Sequence, residues 1–205
     1  MVGRAKKLHG GLAWPHGVMD SLNASIWHCR YLCRRTKIQI FKSLVIPVLL
    51  YGCETWTLNT DLKRRIDVFG TRCLSRIMGY RWYEFVLNQR LIRVTDSRPI
   101  TSIVCQRQLR LYGHMARYPE ANPAYRVVSE RGNLTWRRPR GLPQNSWLRQ
   151  VDASCWESLG MGREPAWRLA RRDRHEWLRR ISEATRPPAY APMIDRLIWS
   201  TLHFL

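Results

Sequence analysis

A chain of 205 residues that is 45% apolar and carries 10 Trp can bury a real core, which excludes wholesale disorder. Its 35 Lys+Arg against 15 Asp+Glu leave a net charge of +20 and a pI near 10.8. Such a field attracts polyanions, nucleic acid first and acidic membrane second.

Residues 1–19 hold four Gly and one Pro with no sustained period and read as an unstructured lead. From Asp20 onward the apolar residues recur at helical spacing, and no stretch alternates long enough to demand a strand. The reading is all-α, with helices near 20–32, 36–57, 61–79, 84–94, 99–117, 146–159 and 164–184. Pro47 interrupts the most apolar stretch, so its helix should kink there or end near Ile46 and restart. Between 61 and 79, Leu62, Ile66, Phe69, Cys73 and Ile77 form one stripe, flanked by a second of Arg65, Arg72 and Arg76. Thr60 stands where an N-cap belongs and Gly79 where a stop belongs. In the 99–117 helix Ile100, Ile103, Leu111 and Met115 share a face with Arg107 and His114, which places His114 in the core. The 27 residues of 118–144 contain four Pro, two Gly and five Arg and read as a loop. It separates a larger helical part, 20–117, from a helix pair, 145–184, in which Trp167, Ala170, Trp177, Leu178 and Ile181 face inward. The tail 185–205 begins Pro-rich and ends apolar.

The chemistry of the side chains points to binding. Only five cations are Lys (Lys6, Lys7, Lys37, Lys42, Lys63) beside 30 Arg, and Arg forks onto phosphate and stacks on bases. The acids are scattered, no two adjacent, and many sit at helical spacing from Arg, as Asp61–Arg65 and Glu176–Arg180 do. Two-metal nucleotidyl transfer needs acids converging on ions about 4 Å apart, so no catalytic residue and no cofactor is expected. Cys29-x3-Cys33 beside His28 lacks the second ligand pair of a zinc site, and Cys53, Cys73, Cys105 and His114 are irregularly placed, so no metal is expected either. The six Cys show no disulfide signature, and Cys29, Cys53, Cys73 and Cys105 read as small core hydrophobes. No signal-peptide h-region and no spanning helix is visible, which suits an intracellular protein, nuclear or cytoplasmic. One basic loop stands out. In Trp136-Arg137-Arg138-Pro139-Arg140-Gly141-Leu142-Pro143 three guanidinium groups sit beside an indole that can stack on a base, in a pattern that also suits a solvated linker.

The segment Lys37-Ile38-x3-Lys42-Ser43-Leu44-Val45-Ile46-Pro47-Val48-Leu49-Leu50-Tyr51-Gly52-Cys53-Glu54-Thr55-Trp56 closely resembles a stretch of LINE-type (non-LTR) retrotransposon reverse transcriptases. The resemblance continues in order through Arg72-Cys73-Leu74-x-Arg76-Ile77-Met78-Gly79, Trp82, Asn88 and Arg107-x-Leu109-Arg110-x2-Gly113-His114-x2-Arg117. It ends with Gly141-x-Pro143-x3-Trp147 and Asp173-Arg174-x2-Trp177-Leu178-Arg179. From Arg186 onward none is seen.

In that family this region follows the polymerase palm and is similar to the helical thumb and its C-terminal extension, which hold a template–primer duplex. The resemblance therefore implies a thumb-like bundle over 20–117, a basic loop and a C-terminal helix pair. The family's paired catalytic Asp belongs to the palm and has no counterpart here; its endonuclease domain is missing too, so Met1 reads as a chance start within a decayed element. Where the family's basic turn continues with Lys or Arg, this chain has Leu142, Gln144 and Asn145, which weakens the grip on phosphate. The expected function is low-specificity binding of RNA or DNA without polymerase activity, through Arg72, Arg76, Arg110, Arg117, Arg137, Arg138 and Arg140, with Trp136 as a stacking platform. Leu49, Leu50, Tyr51, Trp56, Phe69, Leu111, Trp147 and Trp177 are assigned to packing. Two rival readings are an orphan reading frame without function and a domesticated module that binds a protein partner through Trp-rich helices.

Overall fold

A computed structural model describes residue 17 and residues 19–81, 83–129 and 146–186; among them the chain is all helical, with no strand. The loop residues Trp136, Arg137, Arg138 and Arg140 lie outside the described residues. The described residues divide into two compact units, one built from residues before 52 and from 67–97, the other from 52–66 and from 98–186.

In the first unit a five-residue π-helix, Asn23–Trp27, stands where a helix over 20–32 was expected. Trp27 is buried, and its Nε1 donates to the Met19 carbonyl at 2.8 Å. Next come α1 (Arg34–Ile40), a π-helical turn (Phe41–Val45) and α2 (Ile46–Leu49). Pro47 therefore stands in the first turn of α2, the segment that starts at Ile46 after the π-helical turn. Its ring and missing N–H would disrupt the regular ladder, and the wider turn before it absorbs the conflict: the Ile46 N–H reaches back five residues to Phe41. The helix stops at Leu49 rather than continuing to 57, and the chain turns at Gly52, whose φ is +67°.

Tyr51 is the correction that follows. It was assigned to packing, but lying past the helix end it is 87% exposed, while Leu49 and Leu50 are buried as assigned. Helix α3 (Thr60–Met78) supplies this unit with Phe69, Cys73, Leu74, Ile77 and Met78, all buried. It closes in a Schellman turn at Gly79, φ +78°, with Tyr80 N–H donating to the Ser75 carbonyl. Its cap differs from expectation: the Asn59 side chain, not Thr60, accepts from Leu62 N–H at 2.8 Å. α4 (Asn88–Val94) is shorter than the 84–94 expected. Lys42 Nζ donates to the Thr95 and Asp96 carbonyls beyond its C-terminus, satisfying groups that a helix end leaves open.

The second unit packs around α5 (Ile100–Ala116), against which α7 (Trp147–Leu159), α8 (Arg163–Arg172) and α9 (Arg174–Ala184) all rest. α6 (Pro123–Ser129) is helix where the sequence suggested loop throughout 118–144. The core joins Leu109, Tyr112 and Ala116 of α5 to Val151, Cys155, Ala166, Ala170, Trp177 and Ile181. Tyr112 meets Trp167 edge-on at 5.9 Å and Trp177 at 6.1 Å, centroid distances at which aromatic pairs attract beyond simple burial. Leu111, Trp56 and Trp147, assigned to packing, are half-buried. Trp147 Nε1 donates to the Glu54 carbonyl at 2.6 Å.

An amide relay holds 53–58 in place. Gln108, fully buried, donates to the Trp56 carbonyl at 2.8 Å and accepts from Gln150 Nε2, and Gln150 Oε1 accepts the Leu58 N–H at 2.7 Å. The helix expected over 164–184 is broken in two. Asp173 is extended (φ −131°, ψ 102°), and its carboxylate caps α9 by accepting from the His175 and Glu176 amides at 2.9 and 3.0 Å. The Asp-x-x-Glu spacing is a capping signature, readable in the sequence and missed there.

Candidate nucleic-acid interface

Two of the motifs meet in the second unit. Gly113 of α5 faces Trp177 of α9 so closely that a Cβ built on the glycine would overlap the indole, standing 2.6 Å from its Cδ1. The Trp177 Nε1–H donates to the Leu109 carbonyl at 3.2 Å, so the ring is locked over the glycine. Only a residue without a side chain lets the two helices approach to this distance.

Their approach builds a groove of about 480 Å³ lined by Arg110, His114, Arg117, Arg174 and Leu178. Arg110, His114 and Arg117 recur at steps of four and three and so share one face of α5, while Arg174 and Leu178 lie one turn apart on α9. Arg117 is half-buried, and its Nη1 donates to the Ala170 carbonyl at 2.7 Å, which fixes the guanidinium at the end of α8. Burial, and then the nearby Arg174, hold its pKa below the usual guanidinium range. No carboxylate among the described residues pairs with Arg110 or Arg174. Asp173, the neighbour in sequence, turns its carboxylate to the helix amides instead. Cations crowded together without an acid between them make a site for an anion.

His114 is exposed at the rim, which corrects its placement in the core. The helical wheel puts it beside the apolar stripe, but α9 covers Gly113 and leaves the next residue at the edge of the contact. Its Nε2 lies 2.9 Å from the Tyr118 hydroxyl and the two rings are 4.7 Å apart, so its orientation is set within the unit.

The other expected contacts differ. Arg72 is exposed on α3 in the first unit, but Arg76 is ion-paired to Asp20 at 3.0 Å, an exposed pair that partly cancels its charge. The structure thus brings Arg110, His114 and Arg117 of one helix face to a groove with Arg174, whose arrival from another helix no local spacing reveals. Several other guanidinium groups of the second unit are engaged: Arg179 and Arg180 both bind Glu176, and Arg171 lies over the Tyr125 ring and pairs with Glu120. Hydrogen bonds from Arg179 and then Arg180 hold the Glu176 carboxyl down at about 2.

Among the described residues no three His, Cys, Asp or Glu side chains come together as a metal site. None of the described helices is long and apolar enough to cross a membrane. No family model matches the chain. No solved structure matches it either. Over 158 residues the chain is 27% identical to an uncharacterized transposon-derived protein of Caenorhabditis elegans, an alignment covering 74% of this chain and 56% of that protein. The chain thus spans little more than half the length of the curated relative it matches, and what the comparison shows is similarity to a protein of transposon origin.

Proposed function

We infer that the chain descends from the thumb and downstream extension of a LINE-type reverse transcriptase and binds nucleic acid with low sequence specificity, without polymerizing it. The observation that carries this reading is the groove of Arg110, Arg117 and Arg174, three guanidinium groups together with no acid between them. Phosphate is the anion that a nucleic acid repeats along its length, and guanidinium binds it in a forked, charge-assisted geometry. The ordered motifs and the similarity to a transposon-derived protein support the origin. Absence of any adjacent Asp pair in the sequence supports the non-enzyme part.

The test is filter binding of RNA and DNA across a salt series. Affinity should fall steeply between about 50 and 200 mM salt, and each of Arg110→Ala and Arg174→Ala should reduce the slope by about 1 for every sequence tried. Salt-insensitive binding, or no binding, refutes it. Extension of a primed template with Mg2+ or Mn2+ refutes the non-enzyme part.

A protein-binding reading has its own observation, on the first unit. Tyr31 and Phe85 are about fully exposed, at 99% and 101%, and Leu44, Val48 and Leu87 are exposed as well. Among the described tryptophans Trp27 and Trp177 are buried, Trp56, Trp147 and Trp167 are half-buried, and Trp156 of the second unit is 66% exposed, so a Trp contact would fall on Trp156. Salt-insensitive capture of one defined protein would favour it.

A further inference from the structure

We propose that the Arg110–Arg174 groove takes a base from a single strand, and that the protein prefers single-stranded nucleic acid to a duplex. This rests on the nucleic-acid reading above and names the form of the ligand. At about 480 Å³ the groove falls in the range of sites for small ligands, about 300–1,000 Å³, rather than being a surface shaped to a double helix. A duplex lying across its mouth reaches the guanidinium groups with its phosphates, but its bases stay stacked and paired and cannot enter. A single strand can turn one base in.

The lining fits that division of labour. Leu178 gives the groove an apolar wall, and His114 puts an imidazole at its rim. Imidazole rings serve as stacking surfaces for unpaired bases. The Tyr118 hydroxyl and ring hold this imidazole in place before any ligand arrives, so little ordering cost falls on binding. Arg117, tied to the Ala170 carbonyl, contributes charge from a fixed position, while Arg110 and Arg174 have guanidinium groups that no acid among the described residues holds. One base against Leu178 and His114, with its phosphates on Arg110 and Arg174, uses four of the five lining residues, and Arg117 adds its fixed charge.

The experiment is fluorescence anisotropy on the full chain at one fixed, low salt concentration. Three probes of equal length are compared: oligouridine, an RNA duplex, and an abasic strand that keeps the phosphates and lacks the bases. Oligouridine should bind about tenfold more tightly than the abasic strand, the size of one base–aromatic stack, and more tightly than the duplex. His114→Ala should erase the difference between oligouridine and the abasic strand, and His114→Phe, which keeps a stacking ring, should restore it. His114 is exposed, so neither change strains the fold. Equal affinity for oligouridine and the abasic strand, or duplex binding as tight as single-strand binding, overturns this proposal and leaves the nucleic-acid reading standing. Failure to bind any probe overturns both.

Discussion

Replacing Gly113 with Ala puts a methyl group where the Trp177 indole lies. The ring is fully buried and cannot swing to solvent, and the atom that Cβ meets belongs to the rigid ring system rather than to a flexible side-chain end. Forcing one more carbon into a packed core costs about 1–3 kcal/mol. Pushing the indole aside also parts its N–H from the Leu109 carbonyl, and a buried donor left without a partner costs about 1–3 kcal/mol more. Alanine's better helix propensity offsets about 1 kcal/mol. The net loss is about 3 kcal/mol, a fall in Tm of about 6–12 °C for a protein of this size. Thermal unfolding followed by circular dichroism reads this directly, and Trp fluorescence reports the displaced indole. Because the same contact spaces the two walls of the groove, nucleic-acid affinity should fall with it. A variant as stable as the parent would refute the close approach of α5 to α9 and the groove built on it.

Four further outcomes test other parts of the structure. Asp173→Ala removes the acceptor for two α9 amides and should cost about 1 kcal/mol in urea unfolding, and Asp173→Asn should recover most of it. Gln108→Leu strips partners from the Trp56 carbonyl and from Gln150 inside the core, so it should destabilise the protein by about 2–4 kcal/mol despite being more apolar; a neutral result would deny the relay. Glu176, held at about 2 against an ordinary 4.5, binds its proton less readily folded than unfolded. Its contribution is therefore complete above the ordinary value and disappears as pH falls through about 2, so wild type and Glu176→Gln should differ in stability at neutral pH and converge in acid. In thiol labelling, exposed Cys33 should react first, since its hydrogen bond with Thr36 lowers its pKa, while burial pushes Cys73 up to about 12 and should keep it silent until the protein unfolds; Cys33→Ser should remove the fast phase.

Much of the helix pattern was legible because it depends on near neighbours. The stripe of Ile66, Phe69, Cys73 and Ile77 and the stop at Gly79 follow from 3.6-residue periodicity and from glycine's tolerance of positive φ, both properties of a short segment. The i, i+4, i+7 placement of Arg110, His114 and Arg117 was equally readable on α5. Local rules were incomplete where two of them competed. A kink or a restart near Ile46 was legible at Pro47, but not the π-helical turn that precedes it, and Asp173 broke a helix that its apolar stripe alone would have continued.

What periodicity could not decide was which face another element covers. His114 sits beside the apolar stripe and Tyr51 within an apolar run, but burial depends on what packs against a position, and both are exposed. Arg174 is 64 residues beyond Arg110 in the chain, and only the fit of Trp177 over Gly113 brings the two cations to one groove. The amino-acid order determined the helices and the excess of positive charge. Tertiary packing alone decided which of those charges share a cavity, because contact between helices depends on the shape of side chains far apart in sequence, and no local pattern records it.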